Sequence, residues 1–221
     1  VFGDWSSDVC SSDLKALEMK KKSLNADDPS IAITQYNLGI LYKNLGNYQQ
    51  SETYLDDALK IYMKNFGQNS QEVVSTQSQL ALVYISLKKF DKANEYYEKS
   101  YSAFNSLNKN VNSDYINIMY DNAIILWSFK KYDMAEEQFL STLEIIEKNF
   151  GNGHPLYSSC LNSLGVINWQ SKKYDKAYNY FSRAIAIREQ ILPSAHPDYA
   201  TSIHNFAGLM KDMDRYPEAE N

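Results

Sequence analysis

An aromatic residue recurs every 42 residues along almost the whole chain, and this periodicity constrains the fold more than any other feature. A second ladder of small residues follows three positions later, and a third contains only glycine and alanine. The three ladders are Tyr48, Phe90, Tyr132, Tyr174 and Tyr216; Ser51, Ala93, Ala135, Ala177 and Ala219; and Gly39, Ala81, Ala123, Gly165 and Ala207. A fixed step of this length is typical of repeat proteins, and small residues in phase with aromatic ones allow helices to pack closely. The repeat is therefore predicted to be a packing unit.

Each period contains two amphipathic helices joined by a short turn. In the fourth repeat, apolar residues recur at spacings of three and four over 158–170 and again over 174–192. The polar turn 171–173 between them is short enough to make the two helices antiparallel neighbours. No segment alternates apolar and polar residues over the length of a strand, so we expect no sheet.

Proline, histidine and glycine mark the predicted helix ends. His154 and His196 each precede a proline, and we predict that they cap the helices that begin there. Gly67 and Gly151 each follow an Asn-Phe pair, where a helix needs a left-handed closing residue.

Several of these residues also match a known motif. The matching residues are Leu38, Gly39, Tyr42, Gly46, Tyr48 and Ala58, and again Leu164, Gly165, Tyr174, Ala177, Phe181 and Ala184, which resemble the tetratricopeptide repeat signature. The 42-residue step, with segments 196–200 and 216–220 opening paired helices, is similar to the kinesin light chain subclass. The resemblance implies an all-α fold, a right-handed α-solenoid of antiparallel helix pairs. Asn122 and Asn168 depart from the signature, so looser packing or a bound group is expected there.

The first fourteen residues lie outside the repeat pattern. Segment 4–14 resembles one reading frame of a common short-read sequencing adapter, so we interpret 1–14 as non-native and expect it to be disordered. Segment 15–27 is then the end of a partial repeat, because Ala16 and Leu17 lie 42 residues before Ala58 and Leu59. The full repeats are predicted at 28–69, 70–111, 112–153 and 154–195, with a truncated repeat at 196–221. We interpret the chain as an internal fragment of a longer protein.

Charge and cysteine content restrict the classes of partner. The net charge of −5 becomes −2, from 22 basic and 24 acidic residues, when the three aspartates of segment 1–14 are set aside. A chain so close to neutral gives no reason to expect nucleic acid or a membrane surface as partner, and no apolar run reaches the length of a membrane span. Outside segment 1–14 the only cysteine is Cys160, which argues against a disulfide-stapled exported domain and favours the cytoplasm.

A search for catalytic or cofactor chemistry finds no candidate. His154, His196 and His204 have no further ligands at metal-binding spacing. Cys160 has no base nearby in the sequence and is interpreted as a packed helical cysteine. Acidic pairs such as Asp56-Asp57 are interpreted as part of a solvated helix face. We therefore predict no catalytic residue, no cofactor and no metal, with a protein or peptide as the partner.

Lysine pairs recur at the turn inside three successive repeats. They are Lys88 and Lys89, Lys130 and Lys131, and Lys172 and Lys173. Stacked repeats would align these pairs along one edge, and such a basic edge would attract an acidic partner. The alternative interpretation is that a tight turn simply requires solvated residues.

Two tryptophans, Trp127 and Trp169, also lie 42 residues apart, near the end of each first helix. The tetratricopeptide resemblance places them in a concave, partner-binding groove. The groove residues that it implies are Asn117, Tyr120, Ile124, Trp127, Ser159, Asn162, Val166 and Trp169. Tryptophan and tyrosine dominate many interfaces, and asparagine amides pair well with a peptide backbone. The alternative is that both tryptophans pack between adjacent repeats.

The sequence therefore predicts a non-catalytic interaction scaffold that binds a peptide or a partner helix in its groove. Two other functions stay open. The chain is alternatively the regulatory or substrate-recruiting arm of a larger enzyme, because similar repeats precede CHAT-type peptidase or histidine kinase domains. A second alternative is a receptor for a small signalling peptide.

Overall fold

The computed structural model describes residues 5–107, 111–193 and 195–213, with the backbone alone for 5–11. Every element in these ranges is an α-helix. The helices are α1 (Trp5–Ser23), α2 (Pro29–Asn44), α3 (Tyr48–Phe66), α4 (Gln71–Ser86), α5 (Phe90–Ser106), α6 (Ser113–Ser128), α7 (Tyr132–Phe150), α8 (Pro155–Gln170), α9 (Tyr174–Ile191) and α10 (Pro197–Asp212). The chain divides into two compact units, unit 1 (Val1–Asn110) with α1–α5 and unit 2 (Val111–Asn221) with α6–α10. The predicted all-α fold is confirmed.

The starts of the helices follow the 42-residue step. First helices begin at Pro29, Gln71, Ser113, Pro155 and Pro197, and second helices at Tyr48, Phe90, Tyr132 and Tyr174. Within each unit, consecutive helices pack against each other. A repeat is therefore a helical pair that covers its apolar faces with the pairs beside it. The ladder residues Tyr216 and Ala219 lie outside the described part of the chain.

The small-residue ladder lets the two helices of a repeat approach closely. A methyl group added at Gly39 would lie 2.6 Å from Cγ of Leu55, and one added at Gly165 would lie 2.6 Å from the ring of Phe181. Phe181 is fully buried, and burying a side chain of this size stabilises a fold by about 1.5–3 kcal/mol. The glycine and its large partner lie on paired helices, so they form one packing contact of the repeat.

The prolines and histidines at the helix starts act as predicted. Pro155 occupies the first turn of α8, and His154 Nδ1 accepts a hydrogen bond from the Leu156 amide at 3.2 Å. At α10 the same arrangement recurs, with His196 Nδ1 accepting from the Asp198 amide at 3.1 Å. The imidazoles thus satisfy amides that the first helical turn leaves without partners.

Gly67 and Gly151 end α3 and α7 with positive φ, as predicted for a closing residue. Their ψ angles of 170° and 169° are extended, however, so they do not adopt the left-handed helical conformation. The chain therefore leaves each helix directly in an extended direction, through a region of backbone space that strongly favours glycine.

The turn inside each repeat contains one residue in the left-handed region. Gly46 occupies it in the first repeat with φ of 75°, and Lys88, Lys130 and Lys172 occupy it in the next three with φ between 57° and 59°. These three lysines are the described non-glycine residues with positive φ. The first lysine of each predicted pair thus has a fixed place in the turn.

In unit 1, a carboxylate joins the first repeat to the second. Glu52 on α3 accepts a hydrogen bond from the hydroxyl of Tyr84 on α4 at 3.0 Å, and it forms an ion pair with Lys89 at 3.2 Å. Burial is the main cause that raises the pKa of Tyr84 well above its usual range. The phenol therefore stays protonated and remains a donor to Glu52.

The same connection recurs in unit 2 with asparagine in place of tyrosine. Asn168 Nδ2 donates to Glu136 Oε1 at 3.1 Å, and Lys173 lies 3.6 Å from Glu136 Oε2. Asn122 and Asn168 are 1% and 0% exposed. Both side chains are thus buried, so looser packing is not observed, and Asn168 is held by a carboxylate of the preceding repeat. A bound group at these positions stays a prediction.

The first helix begins earlier than predicted. α1 starts at Trp5, within the segment expected to be disordered, and continues to Ser23. Serine and aspartate are only moderately poor helix formers, so they can extend a helix that the residues after Leu14 already form. The expected disorder thus fails for residues 5–14, while residues 1–4 lie outside the described residues and the proposed adapter origin stays a prediction.

Candidate functional site

The first helices of unit 2, α6, α8 and α10, share one face on which neighbouring helices are joined by side-chain hydrogen bonds. Trp127 Nε1 donates to Gln170 Oε1 at 3.1 Å, and Trp169 Nε1 donates to Asp212 Oδ2 at 2.8 Å. Each bond connects equivalent turns of successive first helices. We call this surface the α6–α8–α10 face. Its residues are Asn117, Tyr120, Ile124 and Trp127 of α6, Ser159, Asn162, Val166 and Trp169 of α8, and Ser202 and Asn205 of α10.

A cavity of about 180 Å³ lies on this face between α6 and α8. Its lining residues are Ile124, Trp127, Phe139, Asn162, Ser163 and Val166. Four of them are among the predicted groove residues, and the fully buried Phe139 of α7 is added by the structure. The lining is apolar apart from two polar side chains of α8. This volume suits one apolar side chain rather than a whole small-molecule ligand.

The two tryptophans have different surroundings. Trp127 is half-buried and lines the cavity. Trp169 packs edge-on against Phe181, with ring centroids 6.4 Å apart, and a methyl group at Gly208 would lie 2.6 Å from its indole. Trp169 thus fills the space between α8 and α10. This is what the alternative interpretation, packing between adjacent repeats, predicts for this tryptophan. Its indole also borders an open cleft of about 390 Å³ that Asn205 helps to line.

Tyr120 and Asn162 make polar contacts across the same face. The Tyr120 hydroxyl lies 3.5 Å from Ser163 Oγ, and its ring packs against Phe139 with centroids 5.6 Å apart. Burial raises the pKa of Tyr120 to about 12, so its phenol stays neutral. Asn162 Oδ1 accepts from Ser202 Oγ at 3.2 Å. The polar residues of the face are thus already oriented by their neighbours.

Arg188 is the residue near this face that sequence reasoning missed. It is only 4% exposed, on α9. Nε donates to Ser158 Oγ at 3.2 Å, Nη1 donates to the Asp198 carbonyl and to Ser202 Oγ, both at 2.6 Å, and Nη2 donates to Ser159 Oγ at 3.1 Å. Burial lowers the pKa of Arg188, and the nearby charge of Asp198 opposes this shift. The guanidinium therefore joins α8, α9 and α10 through neutral acceptors.

The periodicity contained a signal for Arg188. The equivalent positions in the three preceding repeats are Tyr62, Phe104 and Ile146, and all three are buried. A cation at a position that is otherwise apolar or aromatic departs sharply from the repeat. Comparison of the copies with one another, position by position, would have identified it.

The turn lysines are occupied by local interactions. Lys89 and Lys173 pair with Glu52 and Glu136, and Lys131 Nζ lies 5.9 Å from the centroid of the Phe129 ring. The other three, Lys88, Lys130 and Lys172, hold the left-handed turn position. The basic edge stays a prediction, because the structure of each turn and its local contacts already account for all six lysines.

Three further features of the described residues concern reactivity, metal binding and membrane insertion. Cys160 is fully buried on α8, and burial raises the pKa of its thiol to about 12, so it is an unreactive packed cysteine. Among the residues that the structure describes, no three histidine, cysteine or acidic side chains are grouped as metal ligands. No helix in the described ranges has both the length and the apolar character that crossing a bilayer requires.

The fold places the chain in the class of proteins built from stacked antiparallel helical pairs. The tetratricopeptide repeat model matches residues 12–64, 30–106 and 114–190, and the chain belongs to the tetratricopeptide repeat family. None of the curated proteins compared with the chain matches it.

Solved structures with the same fold include kinesin light chain-like proteins. BtubC (BKLC) from P. vanneervenii is 21% identical with a TM-score of 0.77, over 98% of this chain and 87% of that one. A putative kinesin light chain from Podosopora anserina, with nearly identical TPR-like repeats, is 19% identical with a TM-score of 0.68, over 87% of this chain and 92% of that one. These similarities support the predicted relation to the kinesin light chain-like subclass.

A structure that was solved with a bound peptide also contains a protein of this fold. NprR, described as a quorum sensor from B. thuringiensis, has been solved in complex with its cognate peptide NprX. That complex is 20% identical with a TM-score of 0.67, and the match covers 96% of this chain and 59% of that one.

Proposed function

We propose that the chain is a non-catalytic interaction module that binds a peptide segment or a partner helix on the α6–α8–α10 face. The family and its structural neighbours support a role in protein interaction in general. The observation that carries the specific proposal is the 180 Å³ apolar cavity beside Trp127. An anchor side chain of the partner would fill this cavity, while the amides and hydroxyls around it pair with the partner's backbone.

The preformed state of this face favours binding. Three of its side chains form hydrogen bonds with the next first helix of the unit: those of Tyr120 and Trp127 with α8, and that of Asn162 with α10. Ordered side chains lose little further freedom when a ligand binds, so more of the contact energy contributes to affinity. Anchors of this kind are found in complexes that place an extended peptide or an amphipathic helix in a groove.

A displayed library of random peptides tests this function. Peptides that bind the chain would be selected and their affinities measured for the Trp127→Ala variant, with Met134→Ala as control because Met134 is 50% exposed on α7 of the same unit. We expect Trp127→Ala to weaken binding by roughly thirtyfold, about 2 kcal/mol, and the control to have little effect. Helical circular dichroism should be unchanged for both variants. Equal affinities for Trp127→Ala and the parent chain would contradict the proposed surface.

A peptide-signal receptor is the second candidate, favoured by the likeness to NprR in its peptide complex. The two functions differ in the size of the ligand and in the response of the fold. Small-angle scattering with a selected peptide separates them, because a receptor that closes on its signal becomes more compact, whereas a scaffold keeps its dimensions.

A further inference from the structure

A cleft of about 610 Å³ lies in unit 1, bounded by the second helices α3 and α5, which both pack against α4. Leu59 of α3, Gln77 of α4 and Ala103 of α5 line it, and these three residues are at most 8% exposed. The side chains around them are mostly polar. We call this space the Gln77 cleft. Its volume falls within the range of small-molecule sites.

Gln77 has a buried hydrogen-bond acceptor without a partner. Its Oε1 is inaccessible to solvent, and none of the residues that the structure describes donates a hydrogen bond to it. Leaving a buried amide unpaired costs free energy, and buried polar groups in folded proteins are nearly always paired. The side chain therefore has an unmet need for a donor.

The fold itself does not require glutamine at this position. The equivalent residues of the next two repeats are Met119 and Leu161, which are 4% and 0% exposed. An apolar side chain thus fills the same place in unit 2 and leaves no polar group unpaired. Since glutamine adds a cost that the packing does not need, its presence favours a role in binding.

The charges around the cleft are already compensated. Lys99 Nζ lies 2.6 Å from Glu95 Oε1 and 5.4 Å from the centroid of the Tyr96 ring. The Tyr96 hydroxyl donates to Asp56 Oδ1 at 3.4 Å. An ion would lose its hydration beside the apolar side chains of the cleft without gaining a free counter-charge. A neutral ligand therefore suits the cleft better.

We propose that the Gln77 cleft binds a small neutral molecule that carries a carboxamide N–H on an apolar body. A carboxamide matches both ends of the Gln77 amide, since each group offers an N–H donor and a carbonyl acceptor. The terminal torsion of a glutamine side chain is broad, so the amide can turn either end toward a ligand. Leu59, Met63 and Ala103 would receive the apolar body. This site is separate from the peptide-binding face proposed for unit 2.

The first test changes the ligand and leaves the protein intact. The probes are 3-phenylpropanamide, its N,N-dimethyl form, which has no N–H group, and 3-phenylpropanoate, which is charged. Binding is followed in nitrogen-15 NMR spectra by the side-chain amide of Gln77 and the backbone amide of Ala103. We expect the primary amide to bind about tenfold more tightly than the other two, the usual effect of one hydrogen bond. Equal affinities, or no shift with any probe, would overturn the proposal.

The second test changes the protein. Gln77→Leu should weaken binding of 3-phenylpropanamide about tenfold, and it should fold, because leucine fills the equivalent position in α8. Gln35→Leu is the matched control. Gln35 has the equivalent place in α2 and also a buried, unpaired Oε1, but it does not line the cleft.

Denaturant unfolding checks that both variants fold, and the backbone amide of Ala103 reports binding where the glutamine signal is lost. Gln35→Leu should bind the probe like the parent chain. If Gln77→Leu also does so, or if both variants lose binding equally, the Gln77 amide is not the recognition group and the proposal is wrong.

A last comparison identifies the source of the carboxamide. Acetylglutamine N-methylamide represents a glutamine side chain of another protein. Tighter binding of 3-phenylpropanamide supports a small molecule, whereas tighter binding of the glutamine derivative would overturn that assignment. Trp127→Ala should leave the affinity for 3-phenylpropanamide unchanged, so this site and the proposed peptide-binding face succeed or fail separately.

Discussion

At the scale of single residues, the turn inside each repeat combines a demanding backbone conformation with an unfavourable side chain. Lys88, Lys130 and Lys172 take the left-handed conformation that Gly46 takes in the first repeat. A residue with a Cβ atom has to accept a steric cost of about 1 kcal/mol there, which glycine avoids. The lysines are therefore tolerated by the fold rather than required by it.

Lys130→Gly should stabilise the chain, by up to about 1 kcal/mol, because it removes the Cβ clash at a position with φ of 59°. Lys130→Ala is the control, since it removes the charge and keeps Cβ. Chemical denaturation of both variants gives the measurement. An equal gain from alanine would mean that the lysine charge, and not the backbone, limits stability.

Asp56 offers a pH-dependent test on α3. Burial and then the charge of Glu52 raise the pKa of Asp56 above its usual value, although the Tyr96 hydroxyl donates to its Oδ1 at 3.4 Å. A raised folded-state pKa means that stability falls as pH rises from the unfolded value through the folded one. Asp56→Asn should therefore raise the melting temperature at pH 7 and leave it almost unchanged near pH 3.

Asp57→Asn is the neighbouring control for that measurement. Asp57 forms an exposed ion pair with Lys60 at 3.1 Å, so its neutralisation should bring no gain at pH 7. A similar increase for both variants would show that the net negative charge of the chain, rather than the burial of Asp56, is responsible.

At the scale of the element, one close contact defines how the two helices of a repeat fit together. Gly165 on α8 leaves room for the ring of Phe181 on α9, as Gly39 does for Leu55. Closely packed interiors cannot absorb an added methyl group without moving a neighbour. The glycines at these two positions are therefore set by packing.

Gly165→Ala should destabilise the chain by about 1–3 kcal/mol, because the new methyl group would lie 2.6 Å from the Phe181 ring. Gly153→Ala serves as the control, since nothing lies within 4 Å of the Cβ position there. Urea unfolding compares the two. If Gly165→Ala unfolds like the parent chain, the helices separate more easily than this packing indicates.

The same elements show how far sequence reasoning extends. The helix starts and the contact between Gly165 and Phe181 were predictable, because both repeat in phase along the chain. The ion pair between Glu136 and Lys173 was not, although it repeats the one between Glu52 and Lys89, since it depends on which face of α7 meets the next repeat. The periodicity marks Arg188 as a departure from the other copies, but its partners Ser158 and Ser202 come from two other helices, 30 and 14 residues away. Periodicity thus shows where a copy is unusual, and the contacts made there require the structure.

At the scale of the whole molecule, the 42-residue step determines which deletions the fold can accept. α2 and α4 both contain 16 residues and start 42 residues apart. Removing one whole period from inside them joins the first half of one to the second half of the other. Each remaining residue then keeps its position relative to the neighbouring helices.

Deletion of residues 38–79, a full period of 42, should therefore give a folded chain that unfolds cooperatively at a lower temperature, because it loses the contacts of one repeat. Deletion of 38–77 is the control. It turns the second half of the hybrid helix by about 200° and so exposes its apolar face. Thermal unfolding followed by circular dichroism separates the two. Equal cooperativity in both deletions would mean that the period does not determine packing.

The buried arginine has a consequence for how such chains diversify. Where several copies perform the same structural task, one of them can exchange an apolar side chain for a cation, because the other copies continue to maintain the stack. Tyr62, Phe104 and Ile146 fill space at this position in their repeats, whereas Arg188 places a charge there. Redundancy between copies thus leaves room for a single repeat to differ without loss of the stack.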